Sequence, residues 1–503
     1  MAPSPNAKVE LEDQILGKVA TLFEETLSHQ PPSNIIELWK EHVEIRRILD
    51  EVTEIQAKLG DTNERLSNSE RNAETIKKFL DWSDNMGIAR NNVTIGSTKT
   101  NGLSLQATGK IPEGHIVARV PRHAMITLDL ARKSSILKKA FEQDRIVGGM
   151  DNVGLALFLA AQWIQNEKSK WHPYLSCLPN TFPTPLFYTE EQLLQLKPSP
   201  IFEEGLTFYR TIARQFCYFL MAVSKNRMYE SAQKRKDTRN TMDVPMFYNA
   251  PFTVSNFTPR LYFWSVAVVT TRVNMVPSEH LVGKDNKPVI IPSLIPFLDM
   301  ANHENVETEN PVEDLVCYSP SEECAVITSH CDLEAGKEVT IFYGCRSKGE
   351  HLLHNGFVPL NHGKQDVMNI KIGIPRTDKT LDAKKALIEK FVANVYCTGN
   401  IFHMDIYNYR EHPFPLDLLM FASIFVSKEA SEADIVKPEV RKQGLEFFKT
   451  RFALLKKSYE NAIDKSKLKE VGIDGDAARL KAAEVEILEI ALKYCENLEK
   501  QQN

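Results

Sequence analysis

Strand-like segments occur in two groups that lie far apart along this 503-residue chain. The first group lies between Asn91 and Pro121, where VTIGS, LSLQA and HIVARVP alternate apolar and polar residues and are bounded by Gly and Pro turns. The second group, KPVIIPSL, ECAVITS and KEVTIFYG, begins only at Lys287. Between them, NVGLALFLAAQW and EEGLTFYRTIARQFCYFLMAV are apolar on nearly all sides, as buried helices are. The pattern predicts a β-rich domain that is interrupted by an inserted helical subdomain.

Both ends of the chain have helical periodicity. Near the N-terminus, Ser33 or Asn34 is the candidate helix cap, and a second helix is expected from about Glu74 to Trp82. The apolar stripe of the first helix is formed by Ile45, Ile48, Leu49, Val52 and Ile55. Near the C-terminus, one strand-like segment, MNIKIGIP, precedes four segments with helical patterns that end in AARLKAAEVEILEIALKYCENLEK.

These patterns together predict the α+β class. Three parts are expected: an N-terminal helical region at 1–88, a β-rich domain at 89–358 with its helical insertion at about 130–260, and an all-helical domain at 366–503. The basic run in SAQKRKDTRNTMD has no periodicity and is interpreted as a solvated loop, with a nuclear-localisation signal as the alternative.

Composition and charge favour a protein that acts on another protein or on a small molecule. The formal net charge of -5 gives no electrostatic footprint for broad nucleic-acid binding. The opening MAPSPNAKVELEDQ carries acidic residues without an apolar core, so no secretory signal is expected, and no segment has the length and apolarity of a membrane span. We therefore expect a cytoplasmic protein, with a nuclear pool left open by the basic run.

The cysteines do not form a metal-binding pattern. The eight thiols are dispersed and include no CxxC motif. Cys317, Cys324 and Cys331 recur every seven residues, but thiols in alternating strands are more often small core residues than zinc ligands. No metal is expected, and a reducing compartment is the simpler setting.

Three polar stretches stand out from apolar surroundings: TTRVNMVP, LDMANHE and IFYGCRS. Carboxylate, amide and imidazole groups, as in LDMANHE, serve as metal ligands, proton carriers or hydrogen-bond partners. Each stretch also has a purely structural interpretation, with Asp299 as a helix cap, His303 as a satisfied core residue and Tyr343 as a packing aromatic. Residue types alone leave these alternatives open.

The order of the motifs resembles the SET-domain protein methyltransferases. A Gly-containing first hairpin (NGLSLQA), an insertion, an NH dipeptide and a strand that ends in FYG follow one another as in that family. The resemblance implies that the NH and FYG segments cross in a knot-like core, and that S-adenosylmethionine is the cofactor. It assigns the cofactor pocket to Arg71, Asn101, Gly102, Leu103, Arg272, Asp299, Met300, Ala301, Asn302, His303, Asn355, Gly356 and Phe357.

The chemistry of methyl transfer is consistent with these residue types. The sulfonium of S-adenosylmethionine carries an activated methyl group, so transfer requires in-line placement of a nucleophile and neither a metal nor a covalent intermediate. A tyrosine oxygen and backbone carbonyls hold such a methyl group by weak C–H···O contacts, which makes Tyr343 the catalytic candidate. Asn302 and His303 are expected to bind adenine and ribose, and Arg272 the cofactor carboxylate.

A further motif narrows the group. WHPYLSCLPNTFPTPL is similar to the inserted subdomain of SET enzymes with a helical substrate-binding C-terminal domain, the group of the Rubisco lysine methyltransferases and the actin-histidine methyltransferases. This resemblance runs from about Arg71 to the C-terminal helices. It implies a monomer that acts on actin, with Arg346 in contact with the substrate, and the absence of a cysteine-rich zinc segment after FYG disfavours histone tails.

The acceptor is predicted to be histidine because of Asn274. Actin-histidine methyltransferases carry an asparagine two residues after the arginine, where lysine-specific relatives have an apolar or aromatic residue. An amide can hydrogen-bond one ring nitrogen of an imidazole and leave the lone pair of the other nitrogen free. Asn274 is thus expected to be both catalytic and substrate-binding. Leu298, another predicted substrate contact, replaces the tryptophan of the actin-histidine enzymes and leaves room for a longer acceptor.

Three alternatives remain open at this point. A SET-type lysine methyltransferase keeps the fold and the cofactor but changes the acceptor. A catalytically silent binding module keeps the fold alone, although retention of Tyr343, Asn302 and His303 argues against it. A metallohydrolase built on Asp299 and His303 lacks both an HExxH motif and a GxSxG nucleophile turn.

Overall fold

A computed structural model of the protein describes residues 4–68, 70–98, 102–234, 243–305, 316–360 and 366–502. The chain forms two compact units. The first unit comprises Met1–Phe182 and Leu206–Gly344, and the second comprises Pro183–Gly205 and Cys345–Asn503. Most of the basic run in SAQKRKDTRNTMD lies outside the described residues, so its interpretation as a solvated loop stays a prediction.

Two of the N-terminal helices, those at Ile35–Ala57 and Ala73–Asn85, form where the sequence pattern places them, whereas those at Pro5–Leu22 and Thr62–Ser67 were not predicted. The helix at Ile35–Ala57 begins at Asn34, whose side chain accepts a hydrogen bond from the Ile36 amide at 2.8 Å. Its buried residues include Ile45, Leu49 and Val52. The helices up to residue 272 are α1 (Pro5–Leu22), α2 (Ile35–Ala57), α3 (Thr62–Ser67), α4 (Ala73–Asn85), α5 (Leu128–Lys133), α6 (Lys138–Gln143), α7 (Arg145–Gly149), α8 (Asp151–Gln165), α9 (His172–Cys177), α10 (Glu190–Leu194), α11 (Pro200–Lys234) and α12 (Pro259–Arg272).

The two groups of predicted strands pair with each other across the helical insertion. The strands of the first unit are β1 (Ala89–Arg90), β2 (Val93–Thr98), β3 (Gly102–Ala107), β4 (Ile116–Pro121), β5 (Ile126–Thr127), β6 (Asn274–Val282), β7 (Pro288–Leu294), β8 (Asn302–His303), β9 (Val316–Ser319), β10 (Cys324–Thr328) and β11 (Glu338–Ile341). They form three sheets with the orders β1-β4-β10-β9, β2-β3-β11-β8 and β5-β7-β6. The early hairpins are thereby completed by strands that follow the insertion.

The pairing of β8 with β11 positions the candidate site. These two short strands are parallel, and Asn302 aligns with Thr340 while His303 aligns with Ile341. Because β11 also pairs with β3, the NH segment, the strand that leads into FYG and the first hairpin lie in one sheet. Three motifs that are distant in sequence are therefore neighbours, whereas the knot-like threading of the chain stays a prediction.

Helix α12 carries Arg272 to the edge of this region. It begins at Thr258, whose hydroxyl accepts a hydrogen bond from the Leu261 amide at 3.1 Å, and Pro259 occupies its first turn. Its middle is buried and is apolar apart from Ser265, whose hydroxyl donates to the Leu261 carbonyl, and Trp264 is among the largest buried side chains. It ends at Arg272 because Val273 is extended and leads into β6. No helix among the described residues is both long and apolar enough to cross a membrane.

The second unit combines helices with a small sheet. Its later helices are α13 (Lys348–Glu350), α14 (Leu381–Phe391), α15 (Asp417–Val426), α16 (Glu432–Ile435), α17 (Pro438–Ala462) and α18 (Ile473–Gln502), and its strands are β12 (Val367–Gly373), β13 (Tyr396–Thr398) and β14 (Ile401–Tyr407). The strand predicted in MNIKIGIP is β12, which pairs with β14 along its whole length.

The α+β class is confirmed, but the expectation of an all-helical C-terminal domain is corrected by this sheet. Strand β14 alternates buried Phe402, Met404 and Ile406 with more exposed residues, and Gly399, with φ of 65°, provides the turn that precedes it. The strand was missed because the short hairpin lies between long helical patterns. Its buried face packs in the same core as aromatic residues of α15 and α17, including Phe421 and Phe448.

Candidate active site

The LDMANHE segment begins with a turn of 3-10 helix, Leu298–Met300, that leads into β8. The preceding residue, Phe297, is buried and has φ of 72°, which is a strained conformation for a bulky side chain. Such strain persists only where the surrounding structure enforces it, and it is concentrated at functional sites. The side chains of Leu298, Asp299 and Met300 are buried. The predicted role of Leu298 as a wall of the acceptor site stays a prediction.

The side chains of Asn302 and His303 are held by neighbours within the first unit. Asn302 Nδ2 donates to Glu338 Oε1 at 2.6 Å, and the backbone amide of Tyr343 donates to His303 Nδ1 at 3.2 Å. His303 Nδ1 therefore carries no proton, and Nε2, which lies 3.2 Å from Asn305 Oδ1, carries the ring hydrogen. Both ring nitrogens are engaged, so this histidine is a neutral positioning group and not an available base.

The arrangement does not favour the metallohydrolase interpretation. Among the described residues, the group of possible metal ligands whose atoms lie close together is Asp129, Glu279 and His280. It includes neither Asp299 nor His303. The nitrogens of His303 are occupied by protein hydrogen bonds, which leaves no free ligand atom on its ring.

Tyr343 follows β11 and turns back toward the LDMANHE segment. Its hydroxyl donates to the backbone carbonyl of Ala301 at 2.8 Å, and its ring lies 5.2 Å from the His303 ring, centroid to centroid. The next residue, Gly344, has φ of 105°, a conformation open to glycine but unfavourable for other residues, which explains the Gly of FYG. The catalytic candidate is thus fixed at both its backbone amide and its hydroxyl by the segment that is predicted to bind the cofactor.

The carboxyl group of Asp299 is buried and lies next to two polar side chains, Tyr174 and Arg272. It accepts a short hydrogen bond from the hydroxyl of Tyr174, and the guanidinium of Arg272 lies 4.0 Å from its Oδ2. Arg272 Nη1 donates to the backbone carbonyl of the same residue. Burial raises the pKa of Asp299 to about 6 despite the opposing effect of Arg272, and burial also raises the pKa of Tyr174, with a further contribution from Asp299.

Arg71 and Gly102 lie next to each other beside the first hairpin. A Cβ atom at Gly102 would lie 3.4 Å from Arg71 Nη2, and Gly102 has φ of 70°, so glycine is favoured here for both conformation and space. Burial lowers the pKa of Arg71, and the positive charge of Arg272 lowers it further. Leu103 is buried in β3, whereas Asn101, also predicted to bind the cofactor, lies outside the described residues.

Two guanidinium groups that repel each other fit an anionic ligand. Arg272 contributes to lowering the pKa of Arg71, and a carboxylate placed between the two guanidinium groups would offset this repulsion through charge-assisted hydrogen bonds. Within the described part of the chain, Arg272 Nε is buried and has no hydrogen-bond partner. The residues present therefore fit the carboxylate end of S-adenosylmethionine, which is the group that the sequence predicts at this position.

Asn274 stands at the first position of β6, two residues beyond Arg272. Its side-chain Nδ2 donates to the backbone carbonyl of Arg272 at 3.2 Å, and its backbone carbonyl accepts a hydrogen bond from Ser293 Oγ at 3.3 Å. The side chain is partly buried. Arg272 and Asn274 are thereby placed at the junction between a buried helix and a paired strand, and both lie on regular elements of the fold.

The remaining predicted residues belong to the second unit. Arg346 donates to Asn355 Oδ1 at 2.5 Å, and the ring of Phe357 lies 5.3 Å from that of His351. Gly356 follows a π-helical turn, and Gly356 itself has a left-handed backbone conformation with φ of 85°. The roles of Arg346 in substrate binding and of Asn355, Gly356 and Phe357 in cofactor binding stay predictions.

Gly356 gives a direct test of the local packing. A Cβ atom there would lie 2.9 Å from the backbone of Pro183, in addition to the strain of a positive φ. Replacing Gly356 with Ala is expected to lower the free energy of unfolding by about 1–3 kcal/mol more than replacing Gly399, whose φ is also positive but whose Cβ would meet no atom within 4 Å. Chemical denaturation of both variants measures the difference, and equal losses would contradict the packing.

Sequence reasoning missed two of the groups that hold this site. Tyr174 lies within the quoted motif WHPYL but 125 residues from Asp299, so only the folded chain reveals their contact. Glu338, the partner of Asn302, is 36 residues away from it on a paired strand. The signal for Tyr174 is weak: it lies between Pro173 and Leu175, and a buried hydroxyl requires a partner, but the same short helix also carries the polar residues His172 and Ser176.

Most of the chain is similar to known proteins in sequence. No protein-family model matches the chain. The actin-histidine N-methyltransferases of Papio anubis and Homo sapiens are each 28% identical to it over 481 residues, which cover 90% of this chain and 73% of theirs. The corresponding protein of Gallus gallus is 27% identical with the same coverage.

Solved structures decide the fold. The SET domain of LSMT bound to lysine and AdoHcy superposes with a TM-score of 0.58 at 18% identity and covers 86% of this chain and 93% of that one. Rubisco LSMT bound to sinefungin and monomethyllysine gives a TM-score of 0.58 at 17% identity, with coverages of 86% and 94%. The protein has the SET-domain fold. The predicted resemblance of the chain to the SET-domain methyltransferases and to the actin-histidine enzymes is confirmed.

Proposed function

We propose that this SET-domain protein is an S-adenosylmethionine-dependent protein-histidine N-methyltransferase whose substrate is a histidine of actin. The similarity to actin-histidine N-methyltransferases over 90% of the chain supports the reaction and the substrate. The fold is shared with structures solved with AdoMet and with AdoHcy, which supports the cofactor. In this proposal the protein works as a monomer in the cytoplasm.

The observation that carries the choice of histidine is the orientation of the Asn274 amide. A backbone carbonyl can only accept a hydrogen bond, so the side-chain atom of Asn274 that contacts the Arg272 carbonyl must be the amide nitrogen. The amide oxygen, Oδ1, therefore points away from that carbonyl. No described residue donates to that oxygen. It is free to accept the N–H of a substrate imidazole and to hold the tautomer whose second nitrogen presents its lone pair.

The chain's own groups account for the other requirements of the reaction. S-adenosylmethionine supplies a methyl group that is already activated by its sulfonium. Tyr343 donates its hydroxyl hydrogen to the Ala301 carbonyl, and its phenol oxygen is the atom that we expect to accept weak C–H···O contacts from the polarised methyl group. Arg71 and Arg272 bind the carboxylate. No general base is needed, because an imidazole with a pKa near 6.5 is largely neutral at pH 7.

The reaction is tested by incubating the full-length recombinant protein with isotopically labelled S-adenosylmethionine and purified actin, followed by fragmentation mass spectrometry of the product. The proposal predicts one labelled methyl group on a histidine. A methyl group on lysine alone would favour the lysine-methyltransferase alternative, which is consistent with Leu298 in place of the tryptophan of the actin-histidine enzymes. Cofactor binding without transfer to actin or to any other candidate substrate would favour a silent binding module.

Replacing Asn274 with Phe is expected to lower kcat/KM for a histidine-containing actin peptide by about ten-fold or more, because the hydrogen bond that selects the tautomer is lost. Asn274→Gln, which retains the amide, is the matched control and should lose less. Steady-state kinetics with the same peptide measure both variants. Unchanged turnover in Asn274→Phe would contradict the role of the amide.

A further inference from the structure

Tyr174 belongs to a buried cluster that is part of the site yet has no assigned role. It lies on α9 and is fully buried, and its ring packs 5.7 Å from that of Phe79. Its hydroxyl donates to Oδ2 of Asp299, a residue whose side chain is 1% exposed. A hydroxyl in such surroundings is costly without a partner, so this hydrogen bond orients the carboxyl group as well as satisfying it.

The carboxyl group of Asp299 and the guanidinium of Arg272 are close but do not form a direct hydrogen bond. Their nearest atoms are 4.0 Å apart, whereas charge-assisted hydrogen bonds between such groups are about 2.7–2.9 Å long. Oδ2 is instead occupied by Tyr174. Within the described residues, Asp299 Oδ1 and Arg272 Nε are both buried and lack hydrogen-bond partners. An arginine and a carboxylate that could pair bidentately are thus held just out of contact.

We propose that Tyr174 is a positioning residue that keeps the Asp299 carboxyl group away from Arg272, so that the guanidinium remains available for the carboxylate of the cofactor. This role rests on the proposed function. Without the tyrosine hydroxyl, Asp299 loses the bond that fixes its orientation, and direct pairing with Arg272 becomes its best alternative. The internal carboxylate then competes with the carboxylate of the ligand.

Isothermal titration of the full-length protein with two ligands tests this role. S-adenosylhomocysteine carries the carboxylate, whereas 5′-methylthioadenosine lacks it. Tyr174→Phe is expected to bind S-adenosylhomocysteine about ten-fold more weakly and to bind methylthioadenosine as the wild type does. Tyr262→Phe is the matched control, since Tyr262 is also fully buried and its hydroxyl donates to Gln215 at 2.8 Å; it should leave both affinities unchanged.

A double variant separates competition from simple loss of packing. Adding Asp299→Asn to Tyr174→Phe removes the competing charge, so the double variant is expected to bind S-adenosylhomocysteine as tightly as the single Asp299→Asn variant, whatever the effect of that single change. Equal weakening of both ligands by Tyr174→Phe, or a double variant that binds S-adenosylhomocysteine clearly more weakly than Asp299→Asn alone, would overturn the positioning role. A wild-type protein that binds no S-adenosylhomocysteine would overturn the proposed function itself.

Discussion

Tyr343→Phe is expected to lower kcat for methyl transfer by about 100-fold or more, the range seen when one preorganised polar group at a reacting centre is removed. The affinity for S-adenosylhomocysteine should remain close to that of the wild type. The reason lies in the position of the hydroxyl, which donates to the Ala301 carbonyl at 2.8 Å and so directs its oxygen lone pairs away from that carbonyl. Phenylalanine keeps the ring contact with His303 but removes the oxygen.

Single-turnover kinetics and isothermal titration on the same preparations measure the two quantities separately. The comparison is with Tyr262→Phe, which removes a buried hydroxyl of the same unit that donates to Gln215. Full activity of Tyr343→Phe would exclude a catalytic role for the hydroxyl. A parallel fall in kcat and in ligand affinity would instead indicate a structural role.

Arg272→Gln is expected to weaken the binding of S-adenosylhomocysteine by about 100-fold, because losing one partner of a charge-assisted pair in a buried setting costs several kcal/mol. Binding of 5′-methylthioadenosine should change little, since that ligand has no carboxylate. The side chain is 15% exposed and lies in the same unit as Arg71, whose pKa is lowered by burial and by Arg272. Removing one cation also relieves this repulsion, so Arg71 should retain weak binding of the carboxylate.

Titration calorimetry with both ligands measures this selectivity. Arg132→Gln is a suitable control, because Arg132 is a partly buried cation of the same unit that pairs with Asp151 at 2.9 Å and has no predicted ligand role. Equal weakening of both ligands by Arg272→Gln would show that the arginine does not act through the carboxylate of the cofactor. No weakening of either ligand would remove it from the cofactor pocket.

The local elements were predictable where periodicity and turn chemistry agree. The hairpin of β2 and β3 and the helix capped by Asn34 follow from alternation, glycine and a capping residue. In the hairpin of β13 and β14, which turns at Gly399, only β14 alternates buried and exposed residues; β13 has three exposed residues, and the hairpin is flanked by strong helical patterns. Local preference alone did not distinguish it from a loop.

The site was less predictable than the fold, because its geometry depends on contacts between distant segments. Motif order identified Tyr343, Asn302 and His303, and the structure joins them through β8 and β11. No sequence pattern indicates that both nitrogens of His303 are occupied or that Tyr174 binds Asp299. Charges and tautomers of this kind are properties of the folded environment, and the residue types are compatible with several arrangements.

The central claim, that this SET-domain protein methylates a histidine of actin, is tested most directly by mass spectrometry of actin from cells that lack the protein. The proposal predicts the loss of one histidine methyl group, restored by expression of the wild-type chain and not by Tyr343→Phe. Actin that keeps its histidine methylation in the absence of the protein would contradict the claim.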